Sequence, residues 1–396
     1  MSKREWRAET RLVHDREHAD SVHGAVVPPL YQNSTHTFDS WDSLDAAFED
    51  RTGTPVYGRQ MNPTVCAVEG QLARLAGAER ARLFGSGMGA ISASLLASLR
   101  AGDHIITVNQ VYGPAGRFMG TWLTEKAGIT TTFVEGCSPD DFARAMTERT
   151  RVIYLETPSS ARFELQDIAA VCALARERGI RVIVDNTWAT PLRQRPLELG
   201  AHLEIHSASK YLGGHSDLIA GVVLGAAADV DPIATVEAEL LGARAAPFEA
   251  WLLLRGLRTL PARLDAHERG GLAVARWLER DHRIAAVSHP GLPSHPQQAL
   301  AARQMSGSSS LFAFTLATGD TAAVKRFFDG LELFGRGVSW GGHESLIYSP
   351  AISALKEQTP ERFAAMGLHA GDMRVSIGLE HPDDLIADLA QALDRI

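Results

Sequence analysis

The stretch DIAAVCALARERGIRVIVD, residues 167–185, decides the fold. Asp167 is a good helix N-cap, residues 168–178 form an apolar-striped helix, and Gly179 supplies the left-handed stop. Residues 182–184 are then wholly apolar and β-branched, as a strand covered on both faces must be. A helix, a stop and a buried strand make half of a βαβ unit. Ligands in such sheets bind beyond the carboxyl ends of the strands, which is where Asp185 stands.

Five more runs repeat the pattern: ARLF (81–84), HIITVN (104–109), TTFVE (131–135), RVIYLE (151–156) and LEIHSA (203–208). Short Ile- and Val-rich runs separated by helical patterns indicate parallel strands in an α/β fold. Beyond residue 258 the pattern changes. A helix near 271–279, a strand at 311–317, a helix near 322–328, a strand at 373–378 and a helix from Asp383 read as a smaller α+β domain. Residues 306–310 read as a flexible serine-rich turn. Residues 1–60 are polar and broken by Pro28 and Pro29, which suits an arm or an oligomer contact. The expected organisation is an arm over 1–60, a large domain over 61–258 and a small C-terminal domain over 259–396.

With 396 residues, 45% of them hydrophobic, the chain is too long for one compact core. Its formal charge of −8 carries no basic stripe, which speaks against nucleic acid. Three scattered cysteines fit neither a disulfide framework nor a zinc site, and Cys172 reads as a small core residue. The first 18 residues hold no apolar leader, and no run approaches the ~18 apolar residues of a membrane span. A soluble, cytoplasmic protein is expected. His14, His18 and His23 lack the HExxH pattern and read as solvated arm residues, so no metal is expected.

Two further segments carry chemistry. In Phe84-Gly85-Ser86-Gly87-Met88-Gly89-Ala90, small residues follow a strand and open a helix, where backbone N–H groups can meet an anion. Taken alone, this loop fits tight packing, a phosphate site, or a dinucleotide with Asp103 on the ribose. In Ser207-Ala208-Ser209-Lys210-Tyr211-Leu212-Gly213-Gly214, a lysine follows an apolar strand between hydroxyls and glycines. Lys210 is either a surface lysine or a Schiff-base lysine, desolvated enough to be nucleophilic. A phosphate loop, an acid at a strand end and a strand-end lysine suit pyridoxal phosphate, whose ring nitrogen needs an acidic partner. They suit a nicotinamide poorly.

The sequence resembles the Cys/Met-metabolism class of fold-type I PLP enzymes, within it the bacterial cystathionine β-lyases. The resemblance rests on Tyr57-Gly58-Arg59, Ser86-Gly87-Met88, Asp185-Asn186-Thr187-Trp188-Ala189, Lys210 with its flanking Ser207 and Ser209, Arg255-Gly256-Leu257-Arg258, Ser339-Trp340-Gly341-Gly342-His343-Glu344-Ser345 and Arg374-Val375-Ser376-Ile377-Gly378. It implies a mostly parallel seven-stranded sheet flanked by helices, a smaller C-terminal domain and pyridoxal 5′-phosphate on Lys210. It implies Asp185 at the pyridine nitrogen and Tyr112 stacked on the ring. Gly87, Met88, Ser207 and Ser209 would hold the phosphate, joined by Tyr57 and Arg59 from a neighbouring subunit. Arg374 would grip the substrate carboxylate beside Ser339. Shared sites imply a homo-oligomer, a dimer of dimers.

The reaction expected is carbon–sulfur cleavage by β-elimination, L-cystathionine giving homocysteine, pyruvate and ammonia. Trp340 is the discriminator, because γ-acting relatives usually carry an aliphatic residue after the serine. Val338 in place of a glutamate, and the segment Glu156-Thr157-Pro158-Ser159-Ser160, point the same way. His343 departs from the enteric β-lyases, so γ-acting members (cystathionine γ-lyase or synthase, methionine γ-lyase) and cysteine-conjugate β-lyases remain alternatives.

Overall fold

In the computed structural model, which describes residues 6–14, 23–50, 52–357 and 367–396, the apolar runs assemble into one seven-stranded sheet. Its strands are β1 (Arg80–Phe84), β2 (His104–Val108), β3 (Thr130–Val134), β4 (Thr150–Glu156), β5 (Arg181–Asp185), β6 (Leu203–Ser207) and β7 (Gly221–Gly225), in spatial order β1-β7-β6-β5-β4-β2-β3. Pairing is parallel from β3 through β6. β7 runs antiparallel to both β6 and β1. The reading of β1 as parallel-paired is therefore corrected. The inserted β7, whose two end glycines resemble breakers, reverses direction between β6 and β1. β1 and β6 still point the same way, so the carboxyl ends of β1, β2, β4, β5 and β6 share one edge.

The decisive stretch folds as its residues dictate. Asp167 accepts the Ala170 N–H at 3.1 Å to cap the helix Ile168–Arg176, and Gly179 takes φ +63°. Val182, Ile183 and Val184 are wholly buried between helical layers.

The second sheet holds β8 (Ile284–Ser288), β9 (Leu311–Leu316), β10 (Gly335–Arg336), β11 (Leu346–Tyr348) and β12 (Asp372–Ser376), in order β10-β11-β12-β9-β8. The helices Leu260–Leu278, Thr321–Gly330 and Pro382–Leu393 cover it. The first is longer than expected and runs through Gly270 and Gly271. A Cβ on Gly271 would lie 2.8 Å from Ser310 Cα, so this glycine marks a close approach rather than a helix start.

The serine-rich stretch before β9 is not a flexible turn. Ser308, Ser309 and Ser310 are buried; the Ser310 N–H donates to Tyr211 Oη at 3.1 Å and its hydroxyl to the Ile377 carbonyl at 2.5 Å. Trp188 Nε1–H donates to the Leu311 carbonyl at 2.8 Å. These bonds tie the two sheets together next to Lys210. The described residues of the N-terminal region form two short helices, Ala8–Val13 and Trp41–Glu49, the second closed by a Ser40/Ser43 capping box. His14 and His23 are exposed, and His18 lies outside the described residues. No described helix is long and apolar enough to cross a membrane.

Candidate active site

The residues singled out in the sequence converge on the carboxyl edge of the large sheet. Ser86 caps the helix Gly87–Ser98 through the Gly89 N–H at 3.0 Å, leaving the Gly87 and Met88 amides in the first helical turn. A Cβ on Gly87 would lie 2.9 Å from Ser207 Cβ, and one on Gly221 would lie 2.2 Å from the Ser86 carbonyl oxygen. Glycine at both positions lets the helix start, the end of β6 and the start of β7 close around one small space. Those backbone N–H groups, the helix dipole and the Ser207 hydroxyl offer the donors an anion such as phosphate needs.

Between β6 and β7 the chain leaves the sheet at Ser207 and returns at Gly221, its partner in register. Ser209 closes this excursion. Its hydroxyl accepts the Ala220 N–H at 3.0 Å and donates to the Ala220 carbonyl at 3.3 Å, a long bond that a phosphate oxygen can displace. Lys210 Nζ donates to Ser339 Oγ at 2.6 Å and stands 5.5 Å from the centre of the Trp340 ring. Burial, with the Arg374 charge nearby, lowers the Lys210 amine to about 8. Gly341, at φ +80°, lets the loop after Trp340 lie against the Lys210 backbone, where a Cβ would be 2.8 Å from the Tyr211 nitrogen.

Asp185 ends β5 with three donors on its carboxylate: the Thr187 N–H at 3.0 Å, the Thr187 hydroxyl at 2.5 Å and the Tyr154 hydroxyl at 3.3 Å. Burial pushes its pKa up, and these donors oppose the rise. The Ser207 N–H donates to Thr187 Oγ1 at 2.8 Å, which links this acid to the anion cradle. Tyr112 follows β2, its ring partly exposed and its N–H donated to Glu156 Oε2 at 2.7 Å. Arg374, on β12, donates to the Val338 carbonyl at 2.6 Å and lies over the Tyr348 ring at 5.0 Å.

Tyr57 and Arg59 are the exception. Arg59 stacks on Tyr57 at 5.5 Å and its carbonyl accepts from Arg82, while Tyr57 bridges to Thr35. Among the described residues, no recorded contact of either reaches Lys210. Asp103 precedes β2 at the opposite end of the sheet, where it accepts the Arg100 N–H at 2.7 Å. It cannot serve a dinucleotide whose phosphates lie at Gly87, and that alternative is set aside.

The donor set fits one group: an anion cradle, a buried carboxylate on three donors and a desolvated lysine at one edge. A model for Cys/Met metabolism PLP-dependent enzymes matches residues 9–394. The chain belongs to that family. It is 41% identical to the L-methionine gamma-lyase of Pseudomonas putida over 97% of this chain and 96% of that protein. It is 37% identical to the cystathionine beta-lyase of Lactococcus lactis subsp. cremoris over 98% of each. A cystathionine gamma synthase from Xanthomonas oryzae pv. oryzae, solved with aminoacrylate and cysteine, superposes with a TM-score of 0.93 at 36% identity, over 99% of this chain and 98% of that one. The fold is that of fold-type I PLP enzymes, the cofactor is pyridoxal 5′-phosphate, and the enzyme class is PLP-dependent carbon–sulfur lyase.

Sequence reasoning missed Tyr154, Thr187, Tyr348 and Glu156 as members of this site. Glu156 was weighed only for its neighbours in the segment 156–160. Its position at a strand end, like that of Asp185, was the signal available.

Proposed function

We propose that this enzyme catalyses α,β-elimination of a cysteine thioether, L-cystathionine or a similar conjugate, in the cytoplasm. Trp340 carries this reading. Its ring packs on Tyr211 at 5.5 Å between centroids and stands at the same distance from Lys210 Nζ, next to Ser339. A rigid indole there walls the side of the pocket where the substrate's side chain must turn. It favours a conformer with Cβ–S perpendicular to the cofactor plane, and opposes the rotation that proton removal from Cβ requires in γ-elimination.

The bound cofactor supplies an electron-accepting ring conjugated to the substrate's Cα. Asp185, its charge supported by Thr187 and Tyr154, would pair with the ring nitrogen. Tyr112 would cover the ring, while Gly87, Met88, Ser207 and Ser209 would hold the phosphate. Arg374 is anchored by the Val338 carbonyl and the Tyr348 face, and its free edge binds the α-carboxylate as a bidentate pair. Lys210 anchors the cofactor and, when its amine is free and neutral, receives the Cα proton at Nζ. Ser339 Oγ accepts from that amine and keeps it turned toward the small domain. The Cβ–S bond breaks with its electron pair leaving on sulfur. Water then releases pyruvate and ammonia, so cystathionine plus water gives homocysteine, pyruvate and ammonia. Tyr57 and Arg59 reach the phosphate of a neighbouring subunit in a homo-oligomer, a dimer of dimers. The proposal keeps the division into an arm over 1–60, a large domain to 258 and a small domain from 259.

A second reading, γ-elimination, is supported by the 41% identity to a methionine gamma-lyase. One experiment separates the two. Purified enzyme is given L-cystathionine and L-methionine in turn, and the keto acid is identified. β-Elimination releases pyruvate from cystathionine and leaves methionine untouched. Release of 2-oxobutyrate from either substrate refutes the proposal.

A further inference from the structure

Glu156 is a carboxylate at the centre of the site that the reaction above leaves unused. It ends β4 and sits directly opposite Asp185 in the parallel register, so the two residues lie on one face of the sheet with their backbones about 5 Å apart by strand spacing. Both of its oxygens are engaged. Oε2 accepts the Tyr112 N–H at 2.7 Å, and Oε1 is bonded to the Ser160 hydroxyl. Ser160 is itself fixed by its N–H to the Gln110 carbonyl at 3.0 Å.

We infer that Glu156 is a positioning residue which holds Tyr112 over the cofactor and carries the one proton of the Glu156–Asp185 pair, leaving Asp185 charged. Two adjacent buried carboxylates cannot both ionise without a large repulsion, so one keeps a proton. Hydrogen bonding decides which. Asp185 receives three donors, one on Oδ2 and two on Oδ1, against two on Glu156, so a negative charge is the better supported on Asp185. Glu156 loses nothing on protonation: Oε2 still accepts from Tyr112, and an Oε1–H can donate to Ser160 Oγ, a hydroxyl able to accept as readily as donate. The groups acting on Glu156 are Asp185, Arg374, Tyr154, Tyr112 and Ser160. Burial and the Asp185 charge raise its pKa to about 8, against the lowering pull of its two hydrogen bonds and Arg374.

The inference rests on Asp185 being the partner of the ring nitrogen. The test uses holoenzyme labelled with 13C at glutamate side-chain carboxyls, the Glu156 signal being identified by its loss in Glu156→Gln. Glu156 should remain in the acid form at pH 7 and cross to carboxylate near pH 8. A signal already that of a carboxylate at pH 6 overturns the proposal. Glu156→Gln keeps both hydrogen bonds without charge, whereas Glu156→Ala frees Tyr112. The glutamine protein should therefore keep a kcat at least about tenfold above that of the alanine protein, consistent with the size of positioning losses. A glutamine protein no better than alanine also overturns the proposal. Where alanine fails to fold, the titration alone decides. Failure of the Asp185 assignment shows separately, as an Asp185→Asn protein that binds cofactor like wild type while Glu156 still titrates high.

Discussion

Replacing Trp340 with leucine tests the shape of the pocket. The indole makes an aromatic pair with Tyr211 at 5.5 Å between centroids. An aromatic pair of this kind contributes about 1 kcal/mol. The stability loss on Trp340→Leu is thus about 1 kcal/mol plus some lost apolar area. A protein with ordinary stability of roughly 5–15 kcal/mol stays folded through that change. Misplacing the reacting bond by about an ångström costs on the order of 100-fold in rate, about 2.7 kcal/mol in the barrier. Pyruvate formation from L-cystathionine should therefore fall about 100-fold while cofactor content and the unfolding transition move little. The assay is single-substrate turnover with the keto acid identified, run beside cofactor absorbance and thermal melting. If pyruvate formation falls no further than the loss of bound cofactor explains, the indole is a structural filler and the wall argument is wrong. An unchanged rate would be equally fatal.

Lys210→Ala should abolish the yellow colour and the borohydride-fixed mass on the Lys210 peptide, and any surviving adduct places the anchor elsewhere. Burial lowers the Lys210 amine to about 8, and only the neutral amine accepts a proton, so kcat should rise with pH through that value; an acid limb centred near the ordinary lysine range contradicts this. Arg59→Ala and Lys210→Ala proteins, each inactive, should regain activity when mixed under subunit exchange, because a hybrid dimer then has one site with neither defect. Exchange without recovery means that the arm does not cross. Gln304→Ala removes bonds to the Ile168 N–H, the Gln166 carbonyl and the Gln194 side chain, all buried. Denaturant unfolding should show about 2–4 kcal/mol of lost stability, since buried polar groups are left without partners.

How far the sequence could be read depended on how local each signal was. The helix-stop-strand unit ending at Asp185 was legible because capping, periodicity and the glycine stop all lie within 19 residues. Gly87 and Lys210 were legible because each sits where an apolar run ends. β7 was not, although Val222, Val223 and Leu224 are wholly buried, because three residues between two glycines look like a turn. Its identity as a strand depends on β1 and β6, which are distant in sequence. Strands β10 and β11 are two and three residues long, too short for any period to register. Ser309 and Ser310 look like linker and are core, because Ser310 bonds Tyr211, His267 and Ile377 and the Ser309 carbonyl bonds His289. Glu156 escaped for a related reason. Its place at a strand end is a weak signal shared by many residues, and only the strand register sets it against Asp185.

The closed stem beneath Lys210 has a mechanical consequence. Because Ser207 faces Gly221 in register and Ser209 is bonded to Ala220 in both directions, the excursion between them is clamped at its base. The amine rides on a flexible four-carbon leash rising from a fixed post. In the proposed reaction each turnover asks it to let go of its cargo, carry a proton and take hold again. The leash can do all three while the post stays still, since none requires the backbone to open. The same clamp also bounds the anion cradle, through Gly221 against Ser86 and Gly87. Release and recapture therefore happen over a dock that keeps its shape, and every cycle starts from the same geometry.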